Sequence, residues 1–214
     1  MTPAQAAGHP LVLLPQRAAF LPGHATLLVA DLHLGKAAAF RRSGLPVPQG
    51  TTAESLDRLS AAVAAVRPSR IVFLGDFLHS ARSQGSDALE AARRWRLAHA
   101  ALDLVLVRGN HDLAAGDPPP GLGLEVVDEP LHLDGLALCH HPRRIPGAYV
   151  LAGHLHPALA VGRGVDRARL PCFWLSDGLG VMPAFGAFTG LHAVSPGPGD
   201  RVYLVAEDRV VPWG

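Results

Sequence analysis

The chain has 214 residues and carries 19 Lys+Arg against 18 Asp+Glu, a formal charge of +1. That is enough for one sizeable core in a single domain, 1–214, and it excludes a binder held to nucleic acid by bulk charge, whose domains run to a pI above about 9. Hydrophobic residues make up 49% and charged residues 17%, which excludes disorder of the charged, core-poor kind. The longest apolar runs, such as Leu11–Leu14 and Leu102–Val107 with Asp103 inside it, fall far short of the ~20 residues of a membrane span. No Lys or Arg precedes Arg17, so the start lacks the basic-then-apolar order of a secretory signal and a cytoplasmic location is expected. Cys139 and Cys172, both inside apolar runs, are then expected as reduced, buried thiols. Lys36 is the only lysine among the 19 basic residues, which fits either guanidinium recognition of phosphate or a GC-rich genome.

In chain order, Thr26–Ala30 reads as a buried strand and Leu34–Ser43 as a helix stopped by Gly44. Thr51–Val66 reads as a helix with Thr51 and Glu54 at capping-box spacing and Leu56, Leu59, Val63 and Val66 on one stripe. The strand Ile71–Leu74, the helix Asp87–Ala101 and the strand Leu104–Val107 complete a series of parallel α/β units. Asp117–Gly123 reads as a loop. From Leu131 on, short strands (Leu136–Cys139, Tyr149–Ala152, Ala158–Val161, Leu170–Leu175, Leu191–Val194, Val202–Val205) follow one another with Gly and Pro turns, Ser195–Gly199 among them. This half is expected to be mainly antiparallel. With no linker between the halves, two sheets packed face to face with helices outside are predicted.

The polar residues fall where strands end. Thr26–Ala30 leads to Asp31 and His33, Ile71–Leu74 to Asp76 and His79, and Leu104–Val107 to Asn110, His111 and Asp112. Leu136–Cys139 leads to His140 and His141, and Tyr149–Ala152 to His154 and His156. Ligands of α/β sheets bind beyond the carboxyl ends of strands, so these groups should converge. An Asp-x-His triplet alone is weak, but Gly109-Asn110-His111-Asp112 is expected by chance only about 4 × 10⁻⁴ times, Asn110 being the sole asparagine. Imidazoles, carboxylates and one amide, with no thiolate, suit Mn2+, Fe or Zn2+. Seven such groups exceed one ion and fit a carboxylate-bridged pair.

Asp31-x-His33, Gly75-Asp76-x-x-His79, Gly109-Asn110-His111-Asp112, His140 and Gly153-His154-x-His156 resemble the ordered motifs of the calcineurin-like binuclear metallophosphoesterases. Over nearly the whole chain, Ala30–Pro46, Cys139–Pro142 and Pro183–Gly190 resemble the bacterial ligase-associated DNA-damage-response group of that superfamily, the PdeM type. The resemblance implies a four-layer α-β-β-α sandwich of two mixed β-sheets and a Mn2+-dependent endonuclease of single-stranded DNA in repair, with a DNA ligase and a helicase of the same system as partners. Carried over by motif, Asp31, His33, Asp76 and His156 hold one ion, and Asp76, Asn110, His140 and His154 the other. Attack on phosphorus is in line, by a hydroxide shared between the ions. His111 is the general acid, Asp112 orients it by accepting its other N–H, and His79 contacts the scissile phosphate.

Two departures stand out: His140-His141-Pro142 replaces the common His-Gly, which sets His140, ending its strand, against His141 as the ligand, and Leu191 follows the FTG segment where relatives continue with Gly. Arg41, Arg42, Arg143 and Arg144 follow motif strands and either bind DNA phosphates or line solvated loops; Arg41 and Arg143 are the substrate-binding candidates. Phe185 and Phe188 either stack on bases or fill core. His9, His24, His99, His132 and His192 read as solvent-facing or structural. Other activities compatible with the motifs are a phosphatase, a small-molecule phosphodiesterase, or a non-catalytic scaffold of the same fold, whose members tend to lack the histidine found here at His111.

Overall fold

A computed structural model describes residues 1–47, 50–84, 86–162 and 167–213. The first sheet holds, in chain order and as spatial neighbours, β1 (Thr2–Ala6), β2 (His9–Leu14), β3 (Ala18–Leu21), β4 (Thr26–Val29), β5 (Arg70–Leu74), β6 (Asp103–Val107) and β7 (Leu124–Val127). β1 to β4 pair antiparallel and β4 to β7 parallel. The parallel strands are joined through α1 (Lys36–Arg42) and α2 (Thr51–Val66), then α3 (Asp87–Ala98), then α4 (Asn110–Ala115). Right-handed crossovers between strands laid out in sequence order put all such helices on one face.

Side-chain alternation along the strands sorts the core accordingly. Leu27, Val29, Ile71, Phe73, Leu104 and Leu106 meet Leu59, Ala62, Leu89 and Ala92 of the helices. Leu28, Ala30, Val72, Leu74, Val105 and Val107 face the other way, onto Leu136, Leu138, Tyr149, Leu151 and Phe173 of the second sheet.

That second sheet contains β8 (Leu131–Leu133), β9 (Leu136–Cys139), β10 (Tyr149–Ala152), β11 (Pro157–Val161), β12 (Ala168–Ser176), β13 (Leu179–Val181), β14 (His192–Ala193), β15 (Arg201–Ala206) and β16 (Arg209–Trp213). Its pairings are antiparallel except for β9–β10–β13 and β11–β14, which are parallel. The sheet is mainly antiparallel, as expected, with parallel pairing at that centre because the chain between Cys139 and Tyr149 doubles back and lets β9 and β10 run together. The sandwich of two mixed sheets is the fold observed. Among the described residues no helix follows Leu122, and the outer face of β9 and β10 packs on Ile145, Ala148 and Leu179.

Four local expectations change. α3, expected to run to Ala101, ends at Ala98, where His99 leaves the helical region with φ −123° and ψ 39°. The α2 N-cap is Gly50 in the left-handed region, with no side-chain capping bond; Glu54 instead pairs with Arg58 at 2.8 Å, so the Thr51/Glu54 box does not form. α1 starts two residues late, because Leu34 N–H is still donated to Phe77 O at 2.8 Å and Gly35 turns with φ 83°. The Asp117–Gly123 loop contains a 3-10 turn, Pro120–Leu122, anchored by buried Leu122. Cys139 and Cys172 are free and buried, and burial pushes their thiols up to about 11 and about 12. No helix is long and apolar enough to cross a membrane among the described residues.

Candidate metal centre

β4, β5, β6, β9 and β10 deliver their motif residues to one edge of the sandwich. The chain turns there through the left-handed region at Asp31, His33, Asp76, His154 and His156, with φ between 50° and 70°. That region costs an L-residue about 1–2 kcal/mol, and such strain gathers at functional sites. Backbone bonds hold the turns in place: His33 N–H donates to Asp76 O at 2.8 Å, Gly153 N–H to His140 O at 3.1 Å and Phe185 N–H to Ala30 O at 2.8 Å. Asp31 accepts the His154 N–H at 2.9 Å on Oδ2, tying the first sheet's carboxylate to the second sheet's loop. Gly75 and Gly109 permit the close packing: a Cβ on Gly75 would lie 2.2 Å from His140 Nδ1, and one on Gly109 would lie 2.4 Å from Asp76 Oδ1.

The donors stand at ligand spacing. A first-row divalent ion with bonds of about 2.0–2.2 Å separates its donors by about 3–4 Å. Asp31 Oδ1 lies 3.4 Å from His156 Nε2 and Asp76 Oδ2 lies 3.6 Å from His33 Nε2. On the other side, His140 Nε2 lies 3.4 Å from Asp76 Oδ1, 2.9 Å from Asn110 Oδ1 and 3.0 Å from His154 Nδ1. Asp76 thus turns one oxygen to each group.

The chemistry of the donors fits a cation. His140 Nδ1 lies 3.0 Å from Leu74 O and so carries the proton, leaving a lone pair on Nε2 that faces the Asn110 carbonyl oxygen and the Asp76 carboxylate. Lone pairs converging in this way need a positive charge between them. Burial lowers His33 and His140 and, with the neighbouring His140, His154, so these imidazoles are neutral and able to ligate. Burial also raises Asp76, and adjacent Asp31 adds to the rise against the opposing His111 N–H bond.

The remaining predicted residues divide. His111 approaches His33, with ring centroids 5.0 Å apart, and stacks on His79 at 5.0 Å; its Nδ1 bonds His79 O at 2.8 Å. Burial, then His111 and Lys36, push His79 down to about 4. Asp112 does not touch the His111 ring: its carboxylate accepts Leu78 N–H and Gly109 N–H, both at 3.0 Å. Neighbours on a helix point about 100° apart, which corrects the orienting role expected of Asp112 to one of holding the β5 and β6 loops together. His141 Nδ1 pairs with Glu129 Oε1 at 2.9 Å, although one of its ring nitrogens still lies within 4.8 Å of ligand atoms of His140 and His154. Arg143 is likewise held by Glu129, at 2.6 Å, rather than standing unengaged. Arg41 and Arg42 lie further out, beside the starts of α2 and α3 around a cavity of about 460 Å³. Phe185 is core, wholly buried, whereas half-buried Phe188 packs edge-on to Phe40 at 5.6 Å.

Sequence reasoning missed Glu129. It accepts the backbone N–H groups of His140 and His141 at 2.7 and 2.9 Å as well as the Arg143 guanidinium. Burial would raise its carboxyl, but those donors outweigh it and hold it at about 2. It sits outside every motif, so only the fold reveals it.

Two sheets whose strand ends gather carboxylates, imidazoles and an amide at ligand spacing define a metal-dependent hydrolase. The calcineurin-like phosphoesterase profile matches residues 24–136. Among solved structures, the Pseudomonas putida nuclease MPE is 40% identical, with a TM-score of 0.88 over 99% of each chain. The phosphoesterase Yfce from E. coli is 15% identical over 87% of this chain and 96% of its own, with a TM-score of 0.41. No curated protein matches the chain. The chain belongs to the calcineurin-like phosphoesterase family, enzymes that work with divalent metal ions.

Proposed function

We propose that this enzyme is a Mn2+-dependent endonuclease that cuts single-stranded DNA, in the cytoplasm and in the repair setting that its motifs imply. The observation that carries the reading is the 40% identity over 99% of both chains to a nuclease. The exposure of the centre supports it: Asn110 and His154 are exposed, where an internal phosphodiester of a flexible strand can reach them and a stiff, stacked duplex presents its phosphates less readily.

Asp31, His33, Asp76 and His156 would hold one ion and Asp76, Asn110, His140 and His154 a second. Bound there, divalent ions supply Lewis acidity to phosphoryl oxygens and acidify water. The chain supplies the rest. His111, its Nδ1–H donated to the His79 carbonyl, acts as the imidazolium and passes its Nε2 proton to the departing alkoxide, leaving the neutral ring. The His79 ring, stacked on His111, contacts the phosphate and sets the angle of the acid. Glu129 fixes the backbone of His140, and Asp112 fixes that of Gly109 beside Asp76. Arg41 extends the phosphate path along α1.

The test is incubation with Mn2+ and closed circular single-stranded DNA, duplex plasmid, or a small phosphodiester. The circle should be opened, since it has no end to digest, and the plasmid cut more slowly. Hydrolysis of the small ester with the circle left intact would replace this reading by a small-molecule phosphodiesterase.

A further inference from the structure

At the pole opposite the metal centre, two imidazoles and a carboxylate converge that no motif connects. His9 opens β2, His24 ends the 3-10 turn Pro22–His24 ahead of β4, and Asp134 lies in the β8–β9 turn. One ligand atom from each lies within 4.8 Å of the others. β4 runs from this pole to Asp31 and β9 from it to His140, so the cluster stands a full strand's length from the centre.

The spacing is not that of a hydrogen bond. His24 Nε2 and Asp134 Oδ2 are 3.8 Å apart, beyond the roughly 3.2 Å of an N–H···O bond but within the separation of two ligands sharing one ion. The His9 and His24 rings, 6.1 Å apart and inclined by 34°, converge without face-to-face stacking. The β8–β9 turn comes in against His9: a Cβ on Gly135 would lie 3.9 Å from His9 Nε2. Both histidines are half-buried, which fixes their rings, and Asp134 is exposed.

We propose that His9, His24 and Asp134 form a separate structural site for a borderline divalent ion such as Zn2+, whose preference for imidazole with carboxylate matches this donor set. His9 lies in the first sheet, His24 in the turn between its strands β3 and β4, and Asp134 in the turn between β8 and β9 of the second sheet, so the ion clasps the two sheets at their base. Those same sheets contribute Asp31 and Asp76 on one side and His140 and His154 on the other to the catalytic edge. Water completes the coordination, supplied through an adjoining cavity of about 690 Å³ lined by His9, Gly135 and Tyr149, which also leaves the ion open to chelators.

The experiment compares full-length wild type with His9→Ala/His24→Ala and with Asp134→Asn after chelator stripping, by equilibrium dialysis against Zn2+ and metal analysis. All three proteins have the same catalytic centre, so the result does not depend on how many ions that centre holds. Wild type should bind one more equivalent than either variant. At a hundredfold excess over the Kd of this site, Zn2+ should raise its Tm by about 5–10 °C more than theirs, while hydrolysis of a small phosphodiester with Mn2+ stays within twofold in all three. Because Asp134 is exposed, Asp134→Asn should fold even if the double variant does not. Equal binding by wild type and Asp134→Asn would overturn the proposal.

Discussion

Asp76 and His111 are joined through the backbone: Oδ1 of the carboxylate accepts the His111 N–H at 2.9 Å. The residue placed between the two candidate ligand groups therefore also anchors the first turn of α4, which carries the proposed acid, His111. Asp76→Ala should abolish turnover, lower bound metal and cost about 1 kcal/mol for the half-buried His111 N–H left without its acceptor. Asp76→Asn keeps an acceptor, so its denaturation midpoint should stay near wild type while turnover is still lost. Full metal content with full activity in either variant would remove Asp76 from the bridge.

His111→Ala should leave metal content unchanged and slow DNA cleavage by about 10²–10⁴-fold, the range of general acid–base catalysis. The loss should shrink on esters whose leaving group needs no proton. Loss of metal in this variant, measured by the same metal analysis, would make His111 a ligand instead.

His140 and His141 are separated by one peptide and by two partners. His140 meets Asp76 and Asn110, whereas His141 is paired with Glu129. His140→Ala should lose one ion per chain, and His141→Ala should retain both. The reverse result would shift the ligand by one residue.

Gly75→Ala tests the packing of the centre. Its Cβ would meet His140 Nδ1 at 2.2 Å with φ at 76°, and the backbone strain and overpacking together should cost about 2–4 kcal/mol. Denaturant unfolding should show that loss, with metal binding weakened because His140 must move.

Glu129 gives the acid limb of stability. Its carboxyl falls from an ordinary value of 4.5 to about 2 in the folded chain. The stabilisation is therefore complete above pH ~4.5 and is lost as pH falls from there through about 2. Glu129→Gln should cost about 1–3 kcal/mol at neutral pH and flatten the decline on acidification. An unchanged acid profile would take Glu129 out of the account.

The strands that end in the motif residues were legible because each is a short apolar run that stops at a motif, and the unbroken burial of Ile71–Leu74 and Leu104–Val107, covered on both faces, follows from that composition. β1 to β3 were not: Thr2–Ala6 and Ala18–Leu21 are short, Ala-rich and without alternation, and only Leu11–Leu14 registered as apolar. α4 is six residues long, too short for a helical period, and begins inside the motif itself. Partner choice was hidden where it is non-local. Nothing near Asp112 in sequence points to Leu78, nothing near Glu129 points to His140, and His9, His24 and Asp134 meet only once both sheets have formed.

The central claim is that two ions share Asp76 at the strand ends. Crystals grown with Mn2+ and measured at its absorption edge should show two anomalous peaks about 3.5–4 Å apart, one on each side of Asp76. The first should lie among Asp31, His33 and His156, the second among Asn110, His140 and His154. A single peak at this edge, or a pair with Asp76 bound to only one of them, would contradict the account.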